Sequence, residues 1–198
     1  FDDTESEAVL KEQASSTEVT MMQTRDTVLG RLSFIRNNGN QSHQGIKLSY
    51  QGSNEDLLKF VDIFGSKVNF SYDPIFQWSI WTSGTLSYGD IDTEGTRLGS
   101  KTKIKDLSFG FDKQISSDYL LGFGIHESRG ENTIQFERSK VYSDSLSLST
   151  YHNIALDDNE YIDLILTYGD IEIDGSRFAA GTATTHTFYR TGHYFNTT

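Results

Sequence analysis

The sequence predicts an all-β chain with one N-terminal helix: an antiparallel up-and-down transmembrane β-barrel, present in part as about six strands, with the α-helix in its lumen. Three observations carry this reading. From residue 76 onward, large apolar side chains recur at every second position in run after run, the period of a strand with two unlike faces. The intervening positions are rich in Ser, Gly and Thr; a soluble sheet would carry Lys and Glu there, whereas small polar side chains suit a wide aqueous lumen. Tyr and Trp gather toward the strand ends, and tight turns alternate with longer polar connections, as in barrels with aromatic girdles and one short-looped rim. A soluble β-rich binding or adhesion module, with the aromatic faces forming a two-sheet core, alternates in the same way and is the competing reading of the pattern.

Composition narrows the field. The 198 residues carry a formal charge of −11, which excludes a nucleic-acid partner held by a basic surface. There is no Cys, so disulfides, thiol nucleophiles and thiolate metal sites are excluded. No run approaches the ~18 apolar residues of a membrane-spanning helix, and the acidic start (Phe1, Asp2, Asp3, Thr4, Glu5) is unlike a signal peptide. Barrel strands need only ~9–11 residues each, so a spanning barrel stays compatible with 35% hydrophobic and 13% aromatic content.

Residues 1–17 are acidic and Ser/Thr-rich, and the trio Ala8, Val9 and Leu10 is too short to make a core; they read as a linker or a cut end. Over 18–36, Met21, Val28, Leu32 and Ile35 follow at intervals of seven, four and three, with Met22 and Leu29 alongside, which predicts a helix capped by Ser16 or Thr17. At ~1.5 Å per residue it would be roughly 28 Å long. Arg25, Asp26, Arg31 and Arg36 are too costly in hydrocarbon, so this helix lies either on a soluble protein or in a water-filled lumen. The polar, Gly/Asn-rich stretch 37–45 ends it. A connecting segment follows to residue 75, with short strands expected over 46–50 and 67–72, a helical turn or two over 55–64, and Pro74 as the boundary.

In the region 76–198, Trp78, Ile80, Leu86 and Tyr88 alternate with Ser79, Ser83, Thr85 and Ser87, with Trp81 as the exception. Leu107, Phe109 and Phe111 alternate with Asp106, Ser108, Gly110 and Asp112; Tyr119, Leu121, Phe123 and Ile125 alternate with Leu120, Gly122, Gly124 and His126. Leu146 and Leu148 alternate with Ser145, Ser147 and Ser149, and Ile162, Leu164, Leu166 and Tyr168 with Asp163, Ile165 and Thr167. A sixth strand is expected over 181–194. Turns at 116–118 and 157–159 are short, while 90–100, 128–140 and 170–180 read as longer connections.

These pieces resemble a known family. A helix with Thr24-Arg25 and Arg31-Leu32-Ser33-Phe34-Ile35-Arg36, a strand from Trp78-Ser79-Ile80-Trp81 to Tyr88-Gly89, then Ser108-Phe109-Gly110-Phe111-Asp112, Leu121-Gly122-Phe123-Gly124-Ile125 and the run 161–169 are similar, in order and spacing, to the C-terminal translocator β-domain of autotransporters, the type V secretion proteins. The resemblance covers about 18–180. It implies a Gram-negative outer-membrane barrel with a helix through its pore, delivering an N-terminal passenger to the cell surface, without cofactor or catalytic activity. Its implied partners are outer-membrane lipid, the insertion machinery, periplasmic chaperones and the passenger itself, whose end 1–17 would represent. The chain departs from the family in strand number and in its last residues, Tyr194-Phe195-Asn196-Thr197-Thr198, so it is expected to be a truncated domain; a six-stranded barrel and a barrel assembled from several chains are the alternatives. A small-solute outer-membrane pore is a further functional alternative.

Residue roles follow from the two faces. Trp78, Tyr88, Tyr119, Tyr161 and Tyr168 are expected in lipid-facing girdles, and Asp106, Asp112 and Asp163 in the lumen. Arg25, Arg31 and Arg36 are expected to pair with those carboxylates, giving a plug held by charge; as surface charges on a free helix they would instead be solvated. The five histidines, His43, His126, His152, His186 and His193, show no metal-ligand spacing and read as loop or lumen residues. Gly122 and Gly124 form a lone GxG without a following helix, so close packing explains them better than a dinucleotide. Asn37-Asn38 stands at the helix end before Gly39, where loop formation outweighs self-cleavage chemistry.

Overall fold

The computed structural model describes residues 3–39, 43–51, 79–91, 99–134, 139–157, 160–179 and 184–198. One helix, α1 (Asp3–Asn38), lies against a single seven-stranded sheet of β1 (His43–Gln51), β2 (Ser79–Ile91), β3 (Ser100–Ser116), β4 (Tyr119–Ile134), β5 (Ser139–Asp157), β6 (Glu160–Ala179) and β7 (Thr184–Thr197). The strands stand in sequence order, and β2 to β7 pair antiparallel with their chain neighbours, the up-and-down pattern expected of them. A two-sheet sandwich would divide these strands; here they form one sheet. β1 joins it parallel to β2, not antiparallel like the other pairs. Trp78 and the segments expected over 55–64 and 67–72 lie outside the described residues.

The strands are longer than hydropathy alone indicated. The stretches 128–140 and 170–180, expected as loops, are largely strand: β4 continues to Ile134, β5 begins at Ser139 and β6 reaches Ala179. At ~3.3 Å per residue the longest strand extends roughly 65 Å, well beyond a ~25 Å apolar band. Past that band the outward residues become charged (Glu127, Arg129, Asp144, Asp170, Glu172), so the apolar signal stops while the ladder of paired backbone groups continues.

α1 is likewise longer than predicted, starting at Asp3 and not near residue 18. No Gly or Pro interrupts its first five turns. Thr17 is no cap: its hydroxyl donates to the Gln13 carbonyl inside the helix. The buried positions Val9, Gln13, Ser16, Thr20, Thr24, Val28 and Leu32 recur at steps of three and four, with Arg31 beside the last, a helical stripe composed mostly of polar residues. The helix stops where expected. Gly39 takes φ 73° and donates to the Ile35 carbonyl, while Asn37 and Asn38 side chains donate to the carbonyls of Ser33 and Phe34.

Two apolar clusters pin α1 to the sheet, one near each end. Val9 packs with Ile134, Val141, Ile171, Ile173 and Tyr194; Val28 and Leu32 pack with Trp81, Leu120, Tyr151 and Ile165. The partners run from β2 at one end of the helix to β7 at the other, so α1 lies across the inner face of the sheet. Between the clusters the contact is polar, with a small cavity lined by Ser16, Thr20, Thr102, Asn132 and Ser143. The face turned away from the helix leaves Leu107, Phe109, Ile125, Leu146, Leu148, Ile162 and Leu164 exposed, a contiguous apolar band that water does not favour. No helix among the described residues is long and apolar enough to cross a membrane, which leaves open crossing by strands.

Candidate functional site: the helix anchored in the curved sheet

The site is the contact between the last third of α1 and the inner wall. Arg31 sits one turn before the end cluster closes, and its guanidinium meets Asp112 of β3 as a fork: Nε donates to Oδ2 at 2.7 Å and Nη2 to Oδ1 at 2.8 Å. Both side chains are shut off from solvent, at 1% and 0% exposure. Tyr151 of β5 donates its hydroxyl to the same Oδ2 at 2.8 Å, and Trp81 of β2 donates its indole N–H to the Tyr151 oxygen at 2.7 Å. A chain of charge-assisted hydrogen bonds thus joins the helix to three strands. Removing two charges from water is costly, and the bidentate geometry with a third donor is the arrangement that offsets it.

Glycine makes room for this network. Gly110 stands directly across the ladder from Trp81, and Gly122 directly across from Tyr151. A Cβ at either position would run into the aromatic ring that lies over it. The same pairing recurs at Gly169 with Tyr194 and Gly175 with Phe188. The small inward positions therefore accommodate inward-folded aromatics, which in turn touch the helix. Trp81, the exception to the alternation of β2, is explained: it points to the helix side and is 1% exposed.

One turn further on, Arg36 donates Nη1 to Asp163 Oδ2 at 2.8 Å and stacks over the Tyr161 ring at 4.0 Å. This pair is partly solvated. Tyr161 shares the parity of Asp163 and stands on the helix side of β6, not in an outward girdle: a one-residue offset in a strand reverses the face. Asn153 donates to the second oxygen of Asp163 at 2.7 Å.

The other expected residues fall elsewhere. Arg25 does not reach a wall carboxylate; it turns outward and pairs with its neighbour Asp26 at 2.9 Å, because its position lies off the buried stripe. Asp106 points inward across from Ser128, whose hydroxyl is the polar group beside its carboxylate. Tyr119 and Tyr168 lie on the outer face, Tyr119 stacked on His152 with 2.7 Å between its hydroxyl and Nδ1, Tyr168 stacked on His193. Tyr88 is half-buried on the outer side of β2. His126 is buried on the inner side between the Ser108 and Ser149 hydroxyls, at 2.8 and 2.7 Å. Among the described residues, no group of three or more His, Asp or Glu is arranged to hold a metal ion.

The arrangement is a charged helix seated by buried ion pairs against an outwardly apolar antiparallel sheet. The autotransporter β-domain model matches residues 80–196. The chain belongs to the autotransporter β-domain family. Among solved structures, the translocator domain of the autotransporter NalP from Neisseria meningitidis is similar, with a TM-score of 0.51 at 16% identity over 72% of this chain and 47% of that one. The chain therefore spans about half the length of the NalP domain, and the likeness is one of fold. No curated protein sequence matches. As an autotransporter β-domain, the chain is placed in the outer membrane of a Gram-negative envelope.

Proposed function

We propose that this autotransporter β-domain delivers an N-terminal passenger polypeptide to the cell surface, with α1 as the pore helix, the segment after it to residue 75 as connection, and 76–198 as barrel wall. The observation that carries the reading is the buried Arg31–Asp112 pair: a helix bearing cations is held inside a sheet whose outer face is apolar, the reverse of a soluble core. Arg31 and Arg36 then anchor the helix in the pore, and Phe109, Leu164 and their outward neighbours face lipid. The two sheet edges are paired in the membrane by further strands, since unpaired backbone groups are not tolerated in hydrocarbon. Insertion machinery and periplasmic chaperones serve such a chain before it closes, and transport proceeds without nucleotide or cofactor.

The test is an epitope placed ahead of Asp3 in the full-length protein expressed in a Gram-negative host. External protease should remove the epitope from intact cells while leaving a heat-modifiable barrel band. An inserted barrel whose epitope stays protected until the outer membrane is opened would overturn delivery to the surface.

A further inference from the structure

Among the described residues, β1 alone breaks the alternating direction of the wall. It pairs with β2 in parallel, from His43 opposite Trp81 to Gln51 opposite Gly89, while every other pair of neighbours is antiparallel. The short turn at Ser117 and Asp118 joins β3 to β4, and Ser79 pairs with Asp112 near that end of β3, so β2 starts at the short-turned rim. β1 starts at the same rim and climbs in the same direction. Successive strands of an up-and-down barrel are antiparallel, so β1 has no place beside β2 in a closed wall. The strand that does have one descends. From β2 to β7 the six strands alternate, so β7 runs down where β2 runs up, and a wall lengthened by whole hairpins also ends on a descending strand.

Two features nevertheless put β1 on this edge. The tripeptide Leu48-Ser49-Tyr50 lies in register with Leu86-Ser87-Tyr88, residue for residue, so β1 repeats the alternation of the strand it covers. The helix also delivers it there. Only residues 39–42 separate the end of α1 from β1. That end is fixed at the short-turned rim by Arg36 on Asp163 and by Leu32 against Trp81, which is the ladder partner of His43. A strand tethered this closely pairs at high effective concentration, so seating the helix covers the edge. Left bare, β2 would offer a row of free backbone donors and acceptors to any strand it met. Parallel pairing is slightly less stable per residue than antiparallel pairing, so the edge can exchange β1 for an antiparallel strand.

We propose that β1 is a removable cover: it pairs with β2 while the wall is open and leaves when a descending strand from the opposite edge of the same chain closes the barrel. The segment after the pore helix thereby guards the closing edge against a wrong partner until the right one arrives. The proposal rests on the barrel reading and not on passenger delivery, so its failure would leave delivery standing.

The test is a cross-link between the two strands. The chain has no cysteine, so Ser49→Cys with Ser87→Cys places one thiol pair on directly opposed residues of adjacent strands, within disulfide reach. Full-length protein carrying both is refolded from urea into lipid vesicles, with oxidant applied either during refolding or after the heat-modifiable band has formed. The cross-link should form in the first case and fail to form in the second, and chains cross-linked early should lack the heat-modifiable band until a reductant is added. The pair S128C/S145C, on directly opposed residues of β4 and β5, should cross-link at both times and leave the band intact. Cross-linking of S49C/S87C in the closed barrel, or a heat-modifiable band from chains already cross-linked, would overturn the proposal and make β1 a lasting neighbour of β2. No cross-link at either time would also overturn it, showing that β1 does not cover the edge.

Discussion

Asp112 accepts three hydrogen bonds, two from Arg31 and one from Tyr151, with no solvent to replace any of them. Asp112→Ala leaves the Arg31 guanidinium buried and uncompensated, and should cost about 3–5 kcal/mol in urea unfolding of the refolded barrel. The double variant R31M/D112L, which removes both charges and fills the space, should recover most of that loss if the pair acts through its burial. By contrast the Arg36–Asp163 pair is partly solvated, so a smaller effect is expected there. Gly122→Ala acts on the same network without touching a charge. Its methyl would displace the Tyr151 ring and with it the hydrogen bond to Asp112, an overpacking cost of about 1–3 kcal/mol measurable in the same unfolding curves.

α1 is held at its two ends by apolar clusters and along its middle by small polar contacts, of which Asn132 to Ser16, at 3.3 Å, is the best defined. A helix seated in this way has a fixed register against β4. Since the chain has no cysteine, Ser16→Cys together with Asn132→Cys introduces the sole thiol pair. Mild oxidation should cross-link helix to strand in the folded protein and shift its migration on a non-reducing gel. A pair of cysteines at Leu10 and Asn132, with Leu10 on the exposed side of the helix, should not cross-link; equal yields from both pairs would contradict the register. The strands behave by a different rule. They persist wherever backbone groups are paired, and change only the chemistry of their outer face as they pass from lipid to water.

For the whole molecule, the two faces of the sheet make opposite demands. Phe109→Arg or Leu164→Arg puts a cation on the outward apolar band and should cost about 2–4 kcal/mol for the protein folded in vesicles. The inner face faces a helix that fills the trough, so removing residues 3–38 should raise single-channel conductance of the full-length protein in planar bilayers. Unchanged conductance would mean that the helix does not obstruct the pore.

The fold class, the antiparallel order of six strands and the end of the helix at the polar stretch 37–45 were legible in the sequence, because period-two alternation and a Gly/Asn-rich break are local properties written residue by residue, whereas which arginine meets which carboxylate was not. Strand length was not legible past residues 127 and 169, since the outward side chains there are charged and the persisting signal is backbone pairing. Nor was the first half of α1, whose buried stripe is Gln, Ser and Thr and has no hydropathic contrast with its exposed side. The inward turn of Trp81 and Tyr161, the outward turn of Arg25, and the coupling of Asp112 to Tyr151 and Trp81 needed the tertiary structure. Each depends on which residue of another strand stands opposite, and a glycine across the ladder, 29 residues away from Trp81 or from Tyr151, is invisible to any local pattern. Sequence alone thus determined which elements form and what each face is made of, whereas register across the sheet decided which side chains meet the helix.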